Sequence, residues 1–522
     1  MVDKLKVMAE SVRSAYESGE EDEQLIPRVL VDGGGEAIGR IGHGDPVIFY
    51  DIRGEREIEL TQAFTDPDFS HFDTGGMTAP FTTMIEYHSE LPVKVAFPPE
   101  TQIRGTLVET LTNSGLKLSK VVESEKAIHL SYFLNGKREM PFPGETMETV
   151  ESPRDVGNHD ERPEMASEKV TEKVIEKLRG DDHVIVVNFA NVDVLAHIEN
   201  KEAVKKGIEA VDRALGRVIE EARAQGVTAM VTADHGTAEK WYYPDGTVDT
   251  GHTDSPVPFV LIDDNMKSAR LEEGGDLTWI APTMLSLLGL EKPADMTGRS
   301  LLADDLRSGR LILIILDGWG HCKDDFGNLI KKANTPVMDG LEKDWPFTTI
   351  HASGEWVGMP AGKVGNSEAG HLHIGAGRRI LSDRIRIDNA MADGSFKNNE
   401  AFLAPIKKAV EQERPLHLLG IVSFYSSHGS VEHLYALLEM AREQGVKTVY
   451  HHALLGRRGE RPEAGARYID DVENFCEKLG LGRVVTVMGR FWALDREHNW
   501  DRVEKAYRAI AKGEGVKVPD QS

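Results

Sequence analysis

The sequence has few cysteines, no long apolar run and far fewer positive than negative charges, and each lack narrows what the protein can be. The 522 residues include only two cysteines, Cys322 and Cys476, which give neither a disulfide framework nor zinc-finger spacing. No run approaches the ~20 apolar residues needed to cross a bilayer, and the first residues lack the apolar core of a signal peptide. These lacks predict a protein of the reducing cytoplasm with no membrane partner.

The formal net charge of -25 disfavours binding to nucleic acid or anionic lipid over the surface as a whole. An anionic substrate would therefore need a pocket made locally positive by arginines or metal ions. Otherwise the composition, 40% hydrophobic and 28% charged, is that of an ordinary globular protein. The length suits two or three domains with ample core.

A strand and a serine loop in the second half of the chain carry the first sign of chemistry. Leu311–Leu316 is wholly apolar and is followed by Asp317. This pattern predicts a buried parallel strand that delivers Asp317 to the carboxyl edge of a sheet, where open α/β folds bind ligands. Ser367 lies in a glycine-containing loop that is flexible enough to bring its hydroxyl beside that acid. Because an alcohol is a poor nucleophile at neutral pH, metal coordination is one of the few ways to activate it.

Further candidate metal ligands follow predicted strands earlier in the chain. The full set is Asp193, His197, Asp234, His235, His252, Asp317 and Ser367. Each residue alone has a plain explanation, because an aspartate after a strand is often a helix cap and a lone histidine often lies in the core or on the surface. Three aspartates, three histidines and a serine together are enough for two divalent ions that clamp a transferring phosphoryl group. The joint pattern therefore favours a metal site.

Seven short motifs form a family pattern. They are Leu316-Asp317-Gly318-Trp319-Gly320, Ala333-Asn334-Thr335-Pro336, His351-Ala352-Ser353-Gly354, Gly365-Asn366-Ser367-Glu368, Gly375-Ala376-Gly377-Arg378, Asn188-Phe189-Ala190-Asn191 and Ala233-Asp234-His235-Gly236. Together they resemble the cofactor-independent phosphoglycerate mutases of the alkaline phosphatase superfamily, over essentially the whole chain. The family begins with the Asp-Gly-Trp-Gly strand, whereas here that strand starts at residue 311, after a segment (293–310) that resembles the family's C-terminus. This order predicts a circular permutant.

The resemblance implies an α/β protein with an alkaline-phosphatase-like doubly wound sheet domain and a second α/β transferase domain, circularly permuted. Residues 1–130 would form the first part of the substrate-binding transferase domain and 383–522 its second part. Residues 131–382 would form the metal-binding domain, with the old termini joined near 303–310. Within it, apolar residues spaced by three and four over 202–224 predict a helix that packs on a sheet.

The family pattern also divides the ligands between two ions. It assigns one ion to Asp193, His197 and His252, and the other to Asp317, Ser367, Asp234 and His235. Oxygen and nitrogen ligands suit Mn²⁺, with Mg²⁺, Zn²⁺ or Co²⁺ also compatible, and no 2,3-bisphosphoglycerate would be needed. Ser367 would take the phosphoryl group of 3-phosphoglycerate and return it to give 2-phosphoglycerate. The transferase domain would close over the glycerate, because water would hydrolyse the phosphoserine.

The same resemblance assigns residues that handle the substrate. Lys126 would be catalytic and would reach the substrate phosphate, and the substrate would be bound by Arg53, Arg56, Arg154, His428, Arg458, Arg490 and Arg496. Arg53 and Arg56 are three apart, so they would share a helical face and form bidentate bonds to an anion. Arg154 replaces a family lysine in a segment between domains. The ordinary alternatives are a solvated helix start and surface arginines stacked on tryptophans.

Three positions depart from the family. Phe424 replaces an acid before His428, and Gly456 and Gly459 replace the acids that flank Arg458. Losing acids that would bind the glycerate hydroxyls predicts that mutase activity is weakened more than phosphoserine formation. Two alternatives stay open: a metal-dependent phosphomonoesterase or related phosphomutase, and a metal-binding permutant with little turnover. A monomer that binds a small phosphorylated substrate is expected.

Overall fold

The computed structural model describes residues 6–100, 103–423, 428–456 and 464–520. The described residues form strands β1 (Arg28–Val31), β2 (Val47–Phe49), β3 (Phe81–Ile85), β4 (Lys94–Phe97), β5 (Leu118–Glu123), β6 (Glu145–Val150), β7 (Val184–Phe189), β8 (Thr228–Thr232), β9 (Val257–Ile262), β10 (Leu311–Leu316), β11 (Phe347–Ile350), β12 (Leu416–Ile421), β13 (Val449–Leu455), β14 (Arg483–Gly489) and β15 (Val516–Pro519).

The helices in the same ranges are α1 (Val7–Glu17), α2 (Gly54–Thr65), α3 (Leu107–Asn113), α4 (Ser167–Arg179), α5 (Asn191–Ala196), α6 (Lys201–Ala224), α7 (Ile280–Leu287), α8 (Leu329–Lys332), α9 (Pro336–Asp344), α10 (Ser367–Ala376), α11 (Asp383–Asp393), α12 (Glu400–Glu411), α13 (Val431–Glu443), α14 (Gly465–Leu479), α15 (Arg490–Ala493) and α16 (Trp500–Tyr507). None of these helices is both long and apolar enough to cross a membrane.

The chain divides into two compact units, of which unit 2 comprises residues 100–385. Its seven-stranded sheet has the order β11-β9-β8-β10-β7-β5-β6. Strand β10 pairs in parallel with β7 and β8, and all six of its residues are buried. The predicted buried strand before Asp317 is therefore confirmed, because apolar side chains alternating to both faces are covered on both sides. The predicted helix over 202–224 is confirmed as α6, which buries its apolar stripe.

Unit 1 comprises residues 1–99 and 386–522 and holds an eight-stranded sheet of its own. The strand order is β15-β1-β14-β13-β12-β2-β3-β4. Strand β1 pairs in parallel with β15 and antiparallel with β14, while the pairs from β14 through to β4 are parallel. β1 comes from residues 28–31, and β14 and β15 come from residues 483–519. The sheet is therefore complete only when these distant segments of the chain have paired.

The α/β class with two sheet domains is confirmed, but the observed division lies at a different place from the predicted one. Residues 100–130, expected in the first domain, belong to unit 2. The reason is that β5 pairs in parallel with both β6 and β7 and so completes the second sheet. The later division falls between residues 385 and 386, three residues from the predicted one.

Candidate active site

The carboxyl ends of three neighbouring strands of unit 2 bring the predicted donors together. Asp317 follows β10, Asp234 and His235 follow β8, and Asp193 lies in α5 just after β7. Since β10 lies between β7 and β8, these residues reach one edge of the sheet. The Asp193 N–H also donates to the carbonyl of Asp317 (3.1 Å). Ser367 opens α10, where Asn366 caps the helix by accepting from the Ala369 N–H.

The hydroxyl of Ser367 is buried among charged groups. Its Oγ lies 2.7 Å from Lys126 Nζ, 2.9 Å from His235 Nε2 and 3.1 Å from Asp317 Oδ1. Lys126 Nζ lies in turn 2.6 Å from Asp193 Oδ2 and 2.8 Å from Asp317 Oδ1. The ammonium group therefore links the serine to two carboxylates that come from different strands.

Two histidines point their remaining ring nitrogens at the same carboxylate oxygen. His197 Nε2 and His252 Nε2 each lie 3.3 Å from Asp193 Oδ1 and 3.1 Å from each other. Each Nδ1 faces a carbonyl, that of Thr250 (2.8 Å) for His197 and that of Gly365 (3.0 Å) for His252, so Nδ1 is the protonated nitrogen. Nε2 of each ring is then the nitrogen that can offer a lone pair to a cation beside Asp193 Oδ1. Three converging acceptors are a set that a cation satisfies.

Unsatisfied oxygens at the same place also fit a metal ion. Asp193 Oδ1 and Asp234 Oδ2 are buried and accept no hydrogen bond from the residues that the structure describes. With Asp317 they make three buried carboxylates beside one lysine, and uncompensated buried charge is costly. Divalent cations held by these residues would balance the excess of negative charge and would draw an anionic phosphate to Ser367.

The electrostatics of the cluster shift its titrating groups. Burial alone would lower the pKa of Lys126, but Asp317, Asp193 and Asp234 outweigh burial and raise it. Burial would likewise lower the pKa of His235, yet the same carboxylates raise it to about 10. Burial would raise the pKa of Asp317, and Lys126 instead holds it below its usual range. Without a metal ion, Lys126 and His235 thus supply positive charge at the place where cations would bind.

Two residues given no role by the sequence reasoning support the cluster from behind. Asn188 Nδ2 donates to Asp317 Oδ2 (2.8 Å) and lies 3.0 Å from His371 Nε2. His371 Nδ1 lies 2.8 Å from the carbonyl of Ser367 and 3.3 Å from Asp234 Oδ2. The sequence signal for His371 was its spacing of four from Ser367, which places both on one helix face. The signal for Asn188 was its position near the end of the buried strand β7.

In unit 1 the structure brings four of the predicted arginines close together. Glu55 Oε1 accepts from Arg53 (2.8 Å) and from Arg496 (3.1 Å). Burial, followed by the charges of Arg496, Arg490 and Arg53, lowers the pKa of Arg56. Helix α2 begins one residue after Arg53, so the spacing of three places both members of the pair at its first turn.

His428 and Arg490 are joined in the interior of unit 1. His428 Nδ1 lies 3.0 Å from Glu57 Oε1, and Arg490 Nη1 lies 3.2 Å from His428 Nε2. Arg490 Nε also donates to Glu23 Oε1 (2.9 Å). Burial, only partly offset by Asp51, lowers the pKa of His428 to about 4, so the ring is neutral at physiological pH.

The other predicted residues stand apart. Arg154 of unit 2 has a side chain 83% exposed and pairs with nearby Glu151 (2.6 Å) rather than with the cluster around Ser367. Arg458, Phe424 and Gly459 lie outside the described residues. Gly456 follows β13 with φ of 100°, and a Cβ there would lie 2.8 Å from the Glu23 Cα. A backbone reason therefore accounts for glycine at 456, where the family has an acid.

Comparison with known proteins covers both units. The model of the Metalloenzyme superfamily matches residues 46–292, and the model described as the BPG-independent PGAM N-terminus matches residues 2–89 and 387–522. Five of the seven predicted ligands lie inside the first match. Asp317 and Ser367 lie in 293–386, between the matched ranges.

Curated relatives carry the name 2,3-bisphosphoglycerate-independent phosphoglycerate mutase. The chain is 39% identical over 297 residues to the protein of Listeria welshimeri, covering 56% of this chain and 57% of the relative. It is 38% identical over 296 residues to that of Moorella thermoacetica, with the same coverage. The chain thus spans about half the length of the curated relatives it matches.

Among solved structures, one described as Leishmania mexicana phosphoglycerate mutase at low cobalt concentration is 32% identical, with a TM-score of 0.37. It covers 52% of this chain and 53% of that one. The two family models and the curated relatives thus show that the chain is similar to cofactor-independent phosphoglycerate mutases and to the metalloenzyme superfamily.

Proposed function

We propose that the chain interconverts 3-phosphoglycerate and 2-phosphoglycerate through a phosphoserine at Ser367. The observation that carries the proposal is the hydroxyl of Ser367 within 3.1 Å of Lys126, His235 and Asp317, next to buried oxygens that lack donors. A serine placed among metal-type ligands is suited to phosphoryl transfer. The names of the curated relatives supply the substrate.

Two divalent ions, with Mn²⁺ preferred and Mg²⁺, Zn²⁺ or Co²⁺ compatible, would be held by the seven donors. One set is Asp193, His197 and His252, and the other is Asp317, Ser367, Asp234 and His235. The two histidine Nε2 atoms that converge on Asp193 Oδ1 support the first set, and the unsatisfied Asp234 Oδ2 supports the second. When bound, the ions lower the pKa of the serine hydroxyl and neutralise phosphate oxygens.

The chain's own residues would direct the transfer. Ser367 Oγ, giving up its proton, attacks phosphorus, the bond between phosphorus and O3 of the sugar acid breaks, and O3 takes up a proton. The O2 hydroxyl, giving up its proton, then attacks the phosphorus of the phosphoserine, the bond to Ser367 Oγ breaks, and Oγ takes up a proton. Lys126, whose Nζ lies 2.7 Å from Oγ, would hold its positive charge beside the transferring oxygens in both steps.

The arginine cluster of unit 1 would bind the anionic groups of the substrate. Arg53, Arg56, Arg490 and Arg496 concentrate positive charge in a protein whose net charge is -25. Guanidinium groups bind carboxylates and phosphates in bidentate fashion. The altered residues at positions 424, 456 and 459 would weaken binding of the glycerate intermediate. The amount of free phosphate released during turnover measures this effect.

We also infer that the chain is a circular permutant. Because the same 297 residues are 56% of this chain and 57% of its relative, the two have nearly equal lengths. An alignment that stops near half of two equally long chains is what a changed order of segments produces. In unit 1, Lys6 and Val7 line the same groove as Val516 and Pro519, so the ends of the described chain are close enough to have been joined.

The test is a paired assay of metal-stripped protein with 3-phosphoglycerate, before and after addition of Mn²⁺. We expect activity only with metal, 2-phosphoglycerate as product, and a loss of at least about 10³-fold in Ser367→Ala. Ser119→Ala, which removes another buried serine of unit 2, is the matched control and should keep its activity.

Equal turnover by wild type and Ser367→Ala would contradict the proposal. Free phosphate as the main Ser367-dependent product would favour a phosphomonoesterase, and metal binding without product would favour a permutant with little turnover. We propose that the activity is cytoplasmic, where phosphorylated sugar acids are handled. We also propose that the protein is a monomer, which sedimentation of the purified protein tests.

A further inference from the structure

Glu57 is a buried acid that the proposed transfer does not use, and a histidine links its side chain to Arg490 of the arginine cluster. Its Oε1 lies 3.0 Å from His428 Nδ1, and His428 Nε2 lies 3.2 Å from Arg490 Nη1. We propose that Glu57 is a positioning residue that, through His428, fixes the guanidinium of Arg490 for binding a carboxylate or phosphate. The proposal rests on the proposed function for the identity of that ligand.

The direction of the hydrogen bonds follows from chemistry. A guanidinium has no acceptor, so Arg490 Nη1 must donate to His428 Nε2. In a neutral imidazole the other nitrogen, Nδ1, then carries the proton and donates to Glu57 Oε1. Burial lowers the pKa of His428, which keeps the ring in this neutral form. Glu57 Oε1 therefore accepts from Nδ1 and stabilises the tautomer whose Nε2 can accept from Arg490.

Arg490 is held from a second side. Its Nε donates to Glu23 Oε1 (2.9 Å), so two of its nitrogens are engaged by the protein. Its Nη2 makes no hydrogen bond to any residue that the structure describes, and it is the group left to donate to a ligand. A guanidinium fixed at two nitrogens loses less conformational entropy when the third binds an anion.

The buried groups Asp51, Glu57 and His428 lie close together, but their hydrogen bonds do not favour a cation site. Asp51, Glu57 and His428 bring donor atoms within 4.8 Å of one another, and Asp51 Oδ2 has no hydrogen-bond partner among the described residues. However, the nitrogen that faces the carboxyls is Nδ1, which carries the proton once Arg490 donates to Nε2. The nearby arginines also add positive charge. A positioning role accounts for the bonds, and a metal ion would break them.

The first test reads the tautomer directly in the folded wild-type protein, without substrate. In protein labelled with ¹⁵N-histidine, we expect the His428 signal, assigned by its absence in His428→Asn, to carry its proton on Nδ1. Glu57→Gln keeps an oxygen acceptor and should leave this tautomer unchanged, while Glu57→Leu should lose it. A wild-type ring with its proton on Nε2 would overturn the proposal, whatever the protein catalyses.

The second test asks whether Glu57 acts through Arg490. Loss of one such hydrogen bond in Glu57→Leu should raise KM for 3-phosphoglycerate about tenfold with little change in kcat, and Glu57→Gln should be close to wild type. The double variant with Arg490→Met should be no worse than Arg490→Met alone. Independent, multiplying effects would overturn the proposal.

A matched control separates positioning from general damage. Glu473→Leu removes a buried glutamate of the same unit that, among the described residues, accepts from the backbone N–H groups of Met8 and Ala9 in α1, and it should leave KM unchanged. If wild type has no mutase activity, the proposed function fails while the tautomer measurement still decides the role of Glu57.

Discussion

Asn188 and His371 contact carboxylates of the cluster, and neither of them has a role predicted from the sequence. Asn188 donates to one oxygen of Asp317 while Ser367 donates to the other, so Asp317 is fixed from two sides. Residues that orient ligands in this way commonly change metal affinity when they are removed. Their effect is therefore measurable apart from catalysis.

We expect Asn188→Ala to weaken Mn²⁺ binding by about 10–100-fold, because Asp317 loses the hydrogen bond that orients it. Calorimetric titration of metal-stripped protein measures this. Asn328→Ala, which removes an equally buried asparagine that caps α8 in the same unit, should bind Mn²⁺ as wild type does. Equal affinities for the two variants would show that Asn188 does not orient a ligand.

At this scale the sequence predicted which candidate donors lie close together better than it predicted the residues that contact them. The seven donor positions could be predicted because each has a metal-ligating side chain after a predicted strand or in the serine loop, and the structure brings them together in unit 2. Asn188 and His371 could not be assigned, since an asparagine in a strand and a histidine in a helix have many ordinary uses. The roles of the seven candidate donors and of the substrate-binding residues, Arg154 and Arg458 included, stay predictions.

Between elements, helices α1 and α14 cap each other. Glu473 of α14 accepts from the N–H groups of Met8 and Ala9 (3.3 Å each) at the start of α1. Asp22, which follows α1, accepts from the Gly465 N–H (2.9 Å) at the start of α14. These bonds satisfy N–H groups that helix starts otherwise leave unpaired.

Burial raises the pKa of Glu473 from 4.5 to about 8, even though two N–H groups favour its ionised form. As pH rises above about 4.5, the unfolded chain loses this proton first, so the stabilising contribution present at acid pH is lost through pH 8. We expect Glu473→Gln to reduce the fall in unfolding free energy between pH 5 and 8 by about 1–2 kcal/mol, measured with denaturant. Glu477→Gln on the exposed face of α14 is the control, and the same fall in both variants would argue against Glu473 as its source.

Helix α10 approaches the Asp234 loop closely enough to require glycine. A Cβ at Gly370 would lie 2.5 Å from the carbonyl oxygen of Asp234. We expect Gly370→Ala to lower the unfolding free energy by about 1–3 kcal/mol and to weaken metal binding, because α10 and the loop must separate. Gly340→Ala in α9, where a Cβ meets nothing within 4 Å, should instead stabilise by about 0.5–1 kcal/mol.

The strand β10 and the helix α6 could be predicted because both have strong apolar patterns. Strand β5 lacks such a pattern, although it is buried. β5 carries Lys120 in its interior, paired with Glu145 (2.6 Å) and hydrogen-bonded to Asn135. A charged residue in so short a segment interrupts the apolar pattern by which a buried strand is predicted. Its partner in the ion pair lies 25 residues away, so only the folded sheet reveals it.

For the molecule as a whole, the proposed permutation makes a strong prediction. A chain reordered to begin at Arg310, with Ser522 joined to Met1 and its end at Gly309, should fold, because the break falls in a segment between elements. We expect metal-dependent turnover within about threefold of the original, since the same side chains converge.

The matched control opens the chain inside α6, between Val211 and Asp212, where a break interrupts a buried helix. That variant should aggregate or unfold at a lower temperature, as followed by circular dichroism. If the chain reordered at Arg310 fails as badly as the control, the present order is required for folding and the proposal of a tolerated permutation is wrong.

The place of β1 and β10 in their sheets bears on how the polypeptide leaves the ribosome. β7 and β8 are synthesised before β10, the strand that separates them, so the sheet of unit 2 cannot be completed until residues 311–316 have emerged. β1 is made first of all the strands, yet it lies between β14 and β15, the last two. Of the strands described, β1 must therefore wait for its neighbours until residues 483–519 have been synthesised, and a chaperone that covers exposed strand edges would act on it during that time.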